Sequence, residues 1–118
     1  MSETSSKPDR VIDYVELPAV DVARSKRFYS AVFGWSYKDW GPQYADTGDS
    51  GVSSGLNADS DHRTKAALVV IHAHNLEEAE ARVRAEGGRI TRAIFSFPGG
   101  RRFHFVDTEG NELAVWGE

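Results

Sequence analysis

The sequence predicts an α+β fold of two βαβββ modules, and this prediction depends on an internal repeat and on the element order within it. An amphipathic helix signal that begins at Asp21 and ends at Gly34 returns at His74 and Gly87, so both landmarks recur 53 positions later (74−21 and 87−34). A strand signal precedes each helix, and several short strand signals follow it. Because one module alone would leave a sheet face and its edges uncovered, we expect a cupped mixed sheet around a cleft, and a dimer.

The composition limits the classes of function. The chain has 118 residues, no cysteine and a formal net charge of −4, which fits one domain and excludes disulfide chemistry and a cysteine nucleophile. No stretch approaches the ~18 apolar residues of a membrane span, and the start lacks the apolar segment of a signal peptide. The arginines alternate with acids or flank turns, which argues against nucleic-acid binding. We therefore expect a cytoplasmic protein without nucleic-acid or membrane partners.

The predicted domain organisation is a short tail followed by a single domain. Residues 1–9 are polar and are expected to form a mobile tail, and residues 10–118 form the domain. Module one covers about residues 11–57, and module two covers about residues 66–117. Between them, residues 58–65 have no apolar anchor and are expected to form an exposed connector.

Module one is predicted to run from a strand at residues 11–17 through a helix to three short strands. Asp21 can cap the helix, and Gly34 supplies a left-handed stop. The helix is expected to pack onto the sheet through four aromatic residues, Phe28, Tyr29, Phe33 and Trp35. Glycine turns separate the three strands that follow, and these are predicted at residues 35–40, 44–47 and 52–56.

Module two repeats this order. A strand rich in Leu, Val and Ile precedes a helix that begins at His74 or Asn75, and Gly87 with Gly88 ends that helix. Asp107 to Asn111 form a tight turn between the last two strands, in which Gly110 can adopt positive φ. The strands of this module are predicted at residues 66–72, 89–95, 101–106 and 112–116.

Two segments resemble a known family. They are SKRFYSAVFGW at residues 25–35 and FVDTEGNELAVW at residues 105–116. Both are similar to segments of the vicinal oxygen chelate superfamily, which includes glyoxalase, bleomycin-resistance and extradiol dioxygenase proteins. The resemblance covers nearly all of residues 11–117, and the subgroup most similar to this chain comprises small bacterial proteins related to lactoylglutathione lyase. It implies a divalent metal held by inward-facing His and Glu side chains.

The positions that the resemblance assigns to metal ligands lack suitable donors in this chain. The ligand position is Tyr14 on the first strand, Leu68 on the first strand of module two and Ala114 on the last strand. The last strand of module one offers no Glu or His, its candidates being Ser53, Gly55, Leu56 and Asn57. Tyr, Leu and Ala provide almost no ligands for such metals. We therefore expect the usual metal site to be absent, and we expect no cofactor.

One alternative metal site stays open. It would combine two carboxylates with one or two imidazoles, from Glu16, His72, His104 and Glu112. Such a donor set suits Zn, Ni, Mn or Fe. In that case the protein would be a lyase or isomerase related to lactoylglutathione lyase, with Glu16 or a histidine as the catalytic base.

The main functional prediction is a protein that binds a small aromatic or amphipathic molecule in its cleft, with a second copy of the chain as its protein partner. Aromatic rings supply contact area, while two carboxylates favour a flat, cationic or amphipathic ligand. The predicted ligand-binding residues are Tyr14, Glu16, Trp35, Tyr37, Trp40, Leu68, Phe103, Glu112, Ala114 and Trp116.

Overall fold

A computed structural model describes residues 7–118, and it divides into two compact units. The first unit covers residues 14–68, and the second combines residues 69–118 with residues 7–13. The predicted N-terminal tail lies largely outside the described residues. Neither of the two helices described within residues 7–118 is long and apolar enough to cross a membrane.

The chain order is strand, helix and three strands, twice over, as the repeat predicts. The first set comprises β1 (Val11–Pro18), α1 (Val22–Phe33), β2 (Lys38–Asp39), β3 (Tyr44–Thr47) and β4 (Ser53–Asn57). The second set comprises β5 (Leu68–His72), α2 (Leu76–Ala85), β6 (Arg89–Phe97), β7 (Gly100–Val106) and β8 (Glu112–Gly117). The predicted α+β fold class of two βαβββ modules is therefore confirmed.

The two sets of strands pair in the same way. In the first set the strand order is β2-β3-β4-β1, with β1 parallel to β4 and the other pairs antiparallel. In the second set the order is β5-β8-β7-β6, with β5 parallel to β8 and the other pairs antiparallel. The connection through each helix explains this pattern, because parallel neighbours need a crossover whereas antiparallel neighbours need only a turn.

Local capping fixes where both helices begin. The Asp21 carboxylate accepts from the backbone N–H of Arg24 at 3.0 Å, and the Asn75 side chain accepts from that of Glu78 at 3.0 Å. Each such cap stabilises its helix by roughly 1 kcal/mol. Gly34 ends α1 with a φ of 77°, a left-handed conformation that favours glycine.

The core of the second unit lies between α2 and one face of the sheet. It is formed by Ala73, Leu76, Phe103, Phe105 and Val115. Alternation along β7 turns Phe103 and Phe105 toward this core, so His104 between them faces the opposite side of the sheet. The two faces of this sheet therefore have different chemistry.

The packing predicted for α1 is wrong. Phe28 and Phe33 are 58% and 59% exposed, and Val22 is the residue that α1 buries. The rings pack on one another instead, since the Trp35 ring centre lies 5.4 Å from that of Tyr29 and 5.3 Å from that of Phe33. These aromatic rings contact one another, so their spacing along α1 did not indicate burial.

The strand predicted at residues 35–40 is also wrong over most of its length, because only Lys38–Asp39 pair as a strand. The Ser30 hydroxyl donates to the Trp35 carbonyl at 2.6 Å, and the Ser36 N–H donates to the Asp49 carboxylate at 2.9 Å. Side chains therefore satisfy the backbone groups that a strand would use for pairing.

Candidate functional site

A buried carboxylate lies at the centre of a polar network in the first unit. Glu16 on β1 is 3% exposed. Its oxygens accept hydrogen bonds from the Tyr44 hydroxyl at 2.9 Å and from Asn57 Nδ2 at 3.2 Å. Because Tyr44 gives its single hydroxyl proton to Glu16, the 2.6 Å contact between the two tyrosine oxygens must be donated by Tyr14. We call these four residues the Glu16 network.

The register of three strands builds the Glu16 network. Glu16 on β1 lies opposite Gly55 on β4, and Tyr44 on β3 lies opposite Asn57 on β4. Positions of like parity share a face, so the four side chains converge. A Cβ atom at Gly55 would meet the hydroxyl groups of Tyr14 and Tyr44. The missing side chain at Gly55 therefore provides the space in which the two hydroxyls meet.

The network holds Tyr44 in its protonated form. Burial raises the pKa of Tyr44 well above its ordinary value of 10.0, and the negative charge of Glu16 raises this pKa further. Tyr44 is therefore a fixed hydrogen-bond donor at neutral pH and not a proton acceptor.

Substitution of Tyr44 by phenylalanine is expected to lower the free energy of unfolding by about 1–2 kcal/mol, because the buried Glu16 carboxylate then loses a donor. Urea denaturation measures this change. Tyr29→Phe is the matched control, since the Tyr29 hydroxyl makes no hydrogen bond to any of residues 7–118 and its loss should change stability by about 0.5 kcal/mol or less. Equal effects of the two substitutions would show that the Tyr44 hydroxyl is not stabilising.

A second buried polar group lies on β7 of the second unit. His104 is 0% exposed, and its Nδ1 lies 3.1 Å from Oε2 of Glu112 on β8. A carboxylate only accepts, so Nδ1 carries the proton and Nε2 presents a lone pair. Nε2 is buried and has no hydrogen-bond partner among residues 7–118. His104 therefore presents a hydrogen-bond acceptor that the described part of the chain leaves unused.

Strand β6 adds cationic and aromatic side chains to the face that carries His104. Arg92 lies directly opposite His104, and Phe95 lies opposite Arg102. The Arg92 guanidinium carbon lies 4.6 Å from the Phe95 ring centre, which is 6.0 Å from the His104 ring centre. We call His104, Glu112, Arg92 and Phe95 the His104 cluster.

An irregularity in β6 explains why Arg92 and Phe95 were not placed together from the sequence. Residues three apart on a regular strand point to opposite faces. The β6–β7 register shifts on both sides of Arg92, between Ile90 and Arg92 and again before Phe95. Such a bulge brings the two side chains onto one face, but the residue types in this stretch give no clear signal of it.

Burial dominates the titration of His104. Desolvation lowers the pKa of His104 below its ordinary value of 6.5; the hydrogen bond to Glu112 opposes this shift, and the positive charges of Arg102 and Arg92 add to it. The folded protein therefore holds His104 in its neutral form under conditions in which the unfolded chain protonates it.

This shift predicts a loss of stability in mild acid. Below about pH 6.5 the unfolded chain takes up a proton at His104 while the folded chain does not, so stability that is present above this pH declines as the pH falls. Urea midpoints measured from about pH 7.5 to about pH 5 should show this decline. His104→Asn should reduce the decline, whereas the exposed control His62→Asn should not. An identical pH dependence in all three proteins would contradict the prediction.

The alternative metal site is not assembled as a group of ligands. His104 and Glu112 lie together, whereas the His72 Nδ1–H donates to the Pro8 carbonyl at 2.9 Å. Among residues 7–118 no group of three or more His, Asp or Glu side chains is arranged to hold a metal ion.

One predicted ligand-binding residue needs correction. Phe103 is 0% exposed and packs in the core with Leu76 of α2. Alternation along β7 explains this placement, because the neighbouring His104 takes the opposite face.

Two other predicted ligand-binding residues, Glu112 and Trp116, lie on the His104 face. Each is two residues from Ala114 on β8, and Ala114 lies directly opposite His104. The Trp116 Nε1–H donates to the Asp13 carboxylate at 3.0 Å.

The other predicted aromatic residues of the first unit have their described side-chain contacts outside the Glu16 network. Trp35 stacks with rings of α1, and Tyr37 lines a shallow hollow beside Lys26 of that helix. Trp40 is 55% exposed, with Lys38 Nζ 4.2 Å from the centre of its ring. The structure therefore brings Tyr14 and Glu16 together but not these three residues.

The family is decided by a match along nearly the whole domain. Residues 11–115 match the model of the Glyoxalase/Bleomycin resistance protein/Dioxygenase superfamily. The chain belongs to this superfamily. The predicted resemblance is confirmed, and other members of the superfamily share the two-module fold. No curated protein sequence matches the chain.

Three solved structures illustrate the likeness. A protein described as an NAD-dependent benzaldehyde dehydrogenase from Legionella pneumophila is 15% identical, with a TM-score of 0.75 and coverage of 88% of this chain and 96% of that one. A superfamily member from Vibrio splendidus 12B01 is 18% identical, with a TM-score of 0.69 and coverage of 89% and 97%. The Mn(II)-bound glyoxalase from Novosphingobium aromaticivorans is 22% identical, with a TM-score of 0.66. The match covers 93% of this chain and 40% of that one. At these identities the likeness shows the fold alone.

The side chains at the superfamily's usual ligand positions do not fit a divalent metal. The Tyr14 hydroxyl is hydrogen-bonded to Tyr44, while Leu68 and Ala114 are 1% and 0% exposed and carry no donor atom. A catalytic metal of this kind needs about three imidazole or carboxylate ligands. These three positions therefore lack the donors that such a metal requires.

Proposed function

We propose that this superfamily member binds a small aromatic or amphipathic molecule without a metal at the usual position. The observation that carries the proposal is the burial of a polar group beside aromatic rings in each unit. Glu16 lies beside Tyr14 and Tyr44, and His104 lies beside Phe95. Burying polar groups costs free energy that apolar residues of similar size would save. The Nε2 atom of His104 has no hydrogen-bond partner among residues 7–118, which is explained if it recognises a polar atom of a ligand whose ring meets the aromatic side chains.

A thermal-shift screen of chelator-treated protein tests this proposal. The panel would include neutral, cationic and anionic aromatic molecules. A ligand present at 100 times its Kd should stabilise the folded chain by about 2.7 kcal/mol, which is readily measured. The absence of any shift across the panel would overturn the proposal. Turnover of the methylglyoxal–glutathione hemithioacetal by the metal-loaded protein would favour a lyase instead.

The proposal includes a homodimer in the cytoplasm. Two observations support these features: superfamily membership and a sequence without cysteine. Light scattering at micromolar concentration should give about twice the chain mass of 13.0 kDa. A monomer under those conditions would overturn the dimer but would leave the binding proposal intact.

A further inference from the structure

The His104 cluster contains a hydrogen-bond acceptor that the fold does not use. His104 Nδ1 is committed to Glu112, whereas Nε2 is buried without a partner among residues 7–118. Leaving a buried acceptor unsatisfied costs free energy. Directly opposite His104 on β8 is Ala114, whose methyl group can neither donate nor accept a hydrogen bond. A ligand that donates a hydrogen bond to Nε2 would recover the cost.

The same cluster contains a cation that no acid of the described chain neutralises. Arg92 has no carboxylate within ion-pair distance among residues 7–118, and its guanidinium lies over the face of Phe95. A guanidinium can bind a carboxylate through two parallel hydrogen bonds. The Phe95 ring lies close to both Arg92 and His104, with its centre 4.6 Å from the Arg92 guanidinium carbon and 6.0 Å from the His104 ring centre. The cluster therefore offers an anion site, an aromatic surface and a hydrogen-bond acceptor on one sheet face.

We propose that the His104 cluster selects an aromatic ligand that carries both a carboxylate and a ring hydroxyl. The carboxylate binds Arg92, the ring packs against Phe95, and the hydroxyl donates to His104 Nε2. This inference rests on the proposed function and deepens it by naming the ligand class. It also replaces the expectation of a cationic ligand, because that expectation came from the two carboxylates Glu16 and Glu112, each of which the structure pairs with a donor.

A metal ion is a weaker explanation of the same cluster. Two potential ligands, His104 and Glu112, lie together, and the described residues 7–118 supply no third to complete a site. The nearby positive charges of Arg92 and Arg102 would also repel a cation. Both features favour an anionic ligand over a metal.

Calorimetric titration of the full chain with 3-hydroxybenzoate, 4-hydroxybenzoate and benzoate tests the inference. At least one hydroxybenzoate should bind about five- to ten-fold more tightly than benzoate, because only it satisfies Nε2. Arg92→Gln should weaken all three by about ten-fold or more. The exposed control Arg84→Gln should change none of them. Equal affinities for benzoate and both hydroxybenzoates would overturn the assignment of His104.

The variant His104→Asn separates recognition from folding. Asparagine places an amide N–H near the position of Nδ1, so Glu112 keeps a donor while the Nε2 acceptor is removed. In this variant the hydroxybenzoates should bind no more tightly than benzoate, so the preference for the ring hydroxyl is lost. Side-chain nitrogen NMR of the unmutated protein gives an independent readout, since ligand binding should shift Nε2 and leave the Nδ1 proton in place. No shift at Nε2 would overturn the proposal even if His104→Asn does not fold.

The controls also separate this inference from the proposed function. Phenol and indole, which are neutral aromatic probes, complete the titration series. If the neutral probes bind while the three benzoates do not, the His104 inference is overturned and the proposed function stands. If none of the five probes binds, and the wider screen is also negative, both are overturned.

Discussion

Replacement of Phe103 by alanine is expected to lower the free energy of unfolding by about 3–5 kcal/mol, the largest effect of any substitution considered for this chain. Phe103 is 0% exposed and lies in the core that packs beneath α2. Truncating it removes a buried ring and leaves a cavity that the surrounding residues fill only in part. Chemical denaturation monitored by far-UV circular dichroism measures the change.

The matched control for this prediction is Phe28→Ala. It makes the same chemical change at a side chain that is 58% exposed on α1, so we expect an effect of about 0.5 kcal/mol or less. The contrast also tests the corrected roles of the two residues. If Phe28→Ala destabilised the protein as much as Phe103→Ala, α1 would have to pack against a surface that residues 7–118 of one chain do not provide.

The second large effect is expected at Gly55, where alanine should cost about 1–3 kcal/mol. The added Cβ would occupy the space in which the Tyr14 and Tyr44 hydroxyls meet, and the Tyr44 ring carbon that bears the hydroxyl lies only 2.8 Å from that point. The two rings must therefore move, and Glu16 then loses its hydrogen bond from Tyr44.

Gly48→Ala is the control for Gly55→Ala. A Cβ at Gly48 meets nothing within 4 Å, so this substitution should be nearly neutral. Thermal denaturation of both variants against the unmutated protein gives the comparison. A Gly55→Ala variant as stable as Gly48→Ala would show that the tyrosine hydroxyls do not meet over Gly55 as described.

The features of the fold that depend on local chemistry were predictable from the sequence. Asp21 caps its helix through a bond to a residue three positions away, so the signal and the structure lie in the same short segment. Gly110 has a φ of 91° in the turn after Asp107, as the predicted hairpin requires. In both places nearby residues alone decide the backbone conformation.

The features that depend on distant pairing were not predictable. Phe28 and Val32 are four residues apart, which is the spacing of one helix face, yet both are exposed because burial depends on what packs against α1. Tyr44 and Asn57 join Glu16 only because the registers of β1, β3 and β4 align them. A one-residue slip would move each of these side chains to the other face.

Some residues of the candidate site could be grouped from the sequence and others could not, because grouping depends on whether a strand is regular. Glu16 and Tyr14 share a face because they are two residues apart on a regular strand, so alternation was sufficient to group them. Arg92 and Phe95 share a face because β6 is irregular, and alternation separates them. Arg92 supplies the positive charge for which we propose an anionic ligand, and Phe95 supplies the ring beside it.

Calorimetric titration of one aromatic ligand from the screen into chelator-treated protein, with and without added Zn²⁺ or Mn²⁺, shows whether binding depends on a metal. We expect the same Kd in every condition, because the usual ligand positions Tyr14, Leu68 and Ala114 offer no adequate donor set. Binding that appears only when one of the metals is present would contradict this expectation.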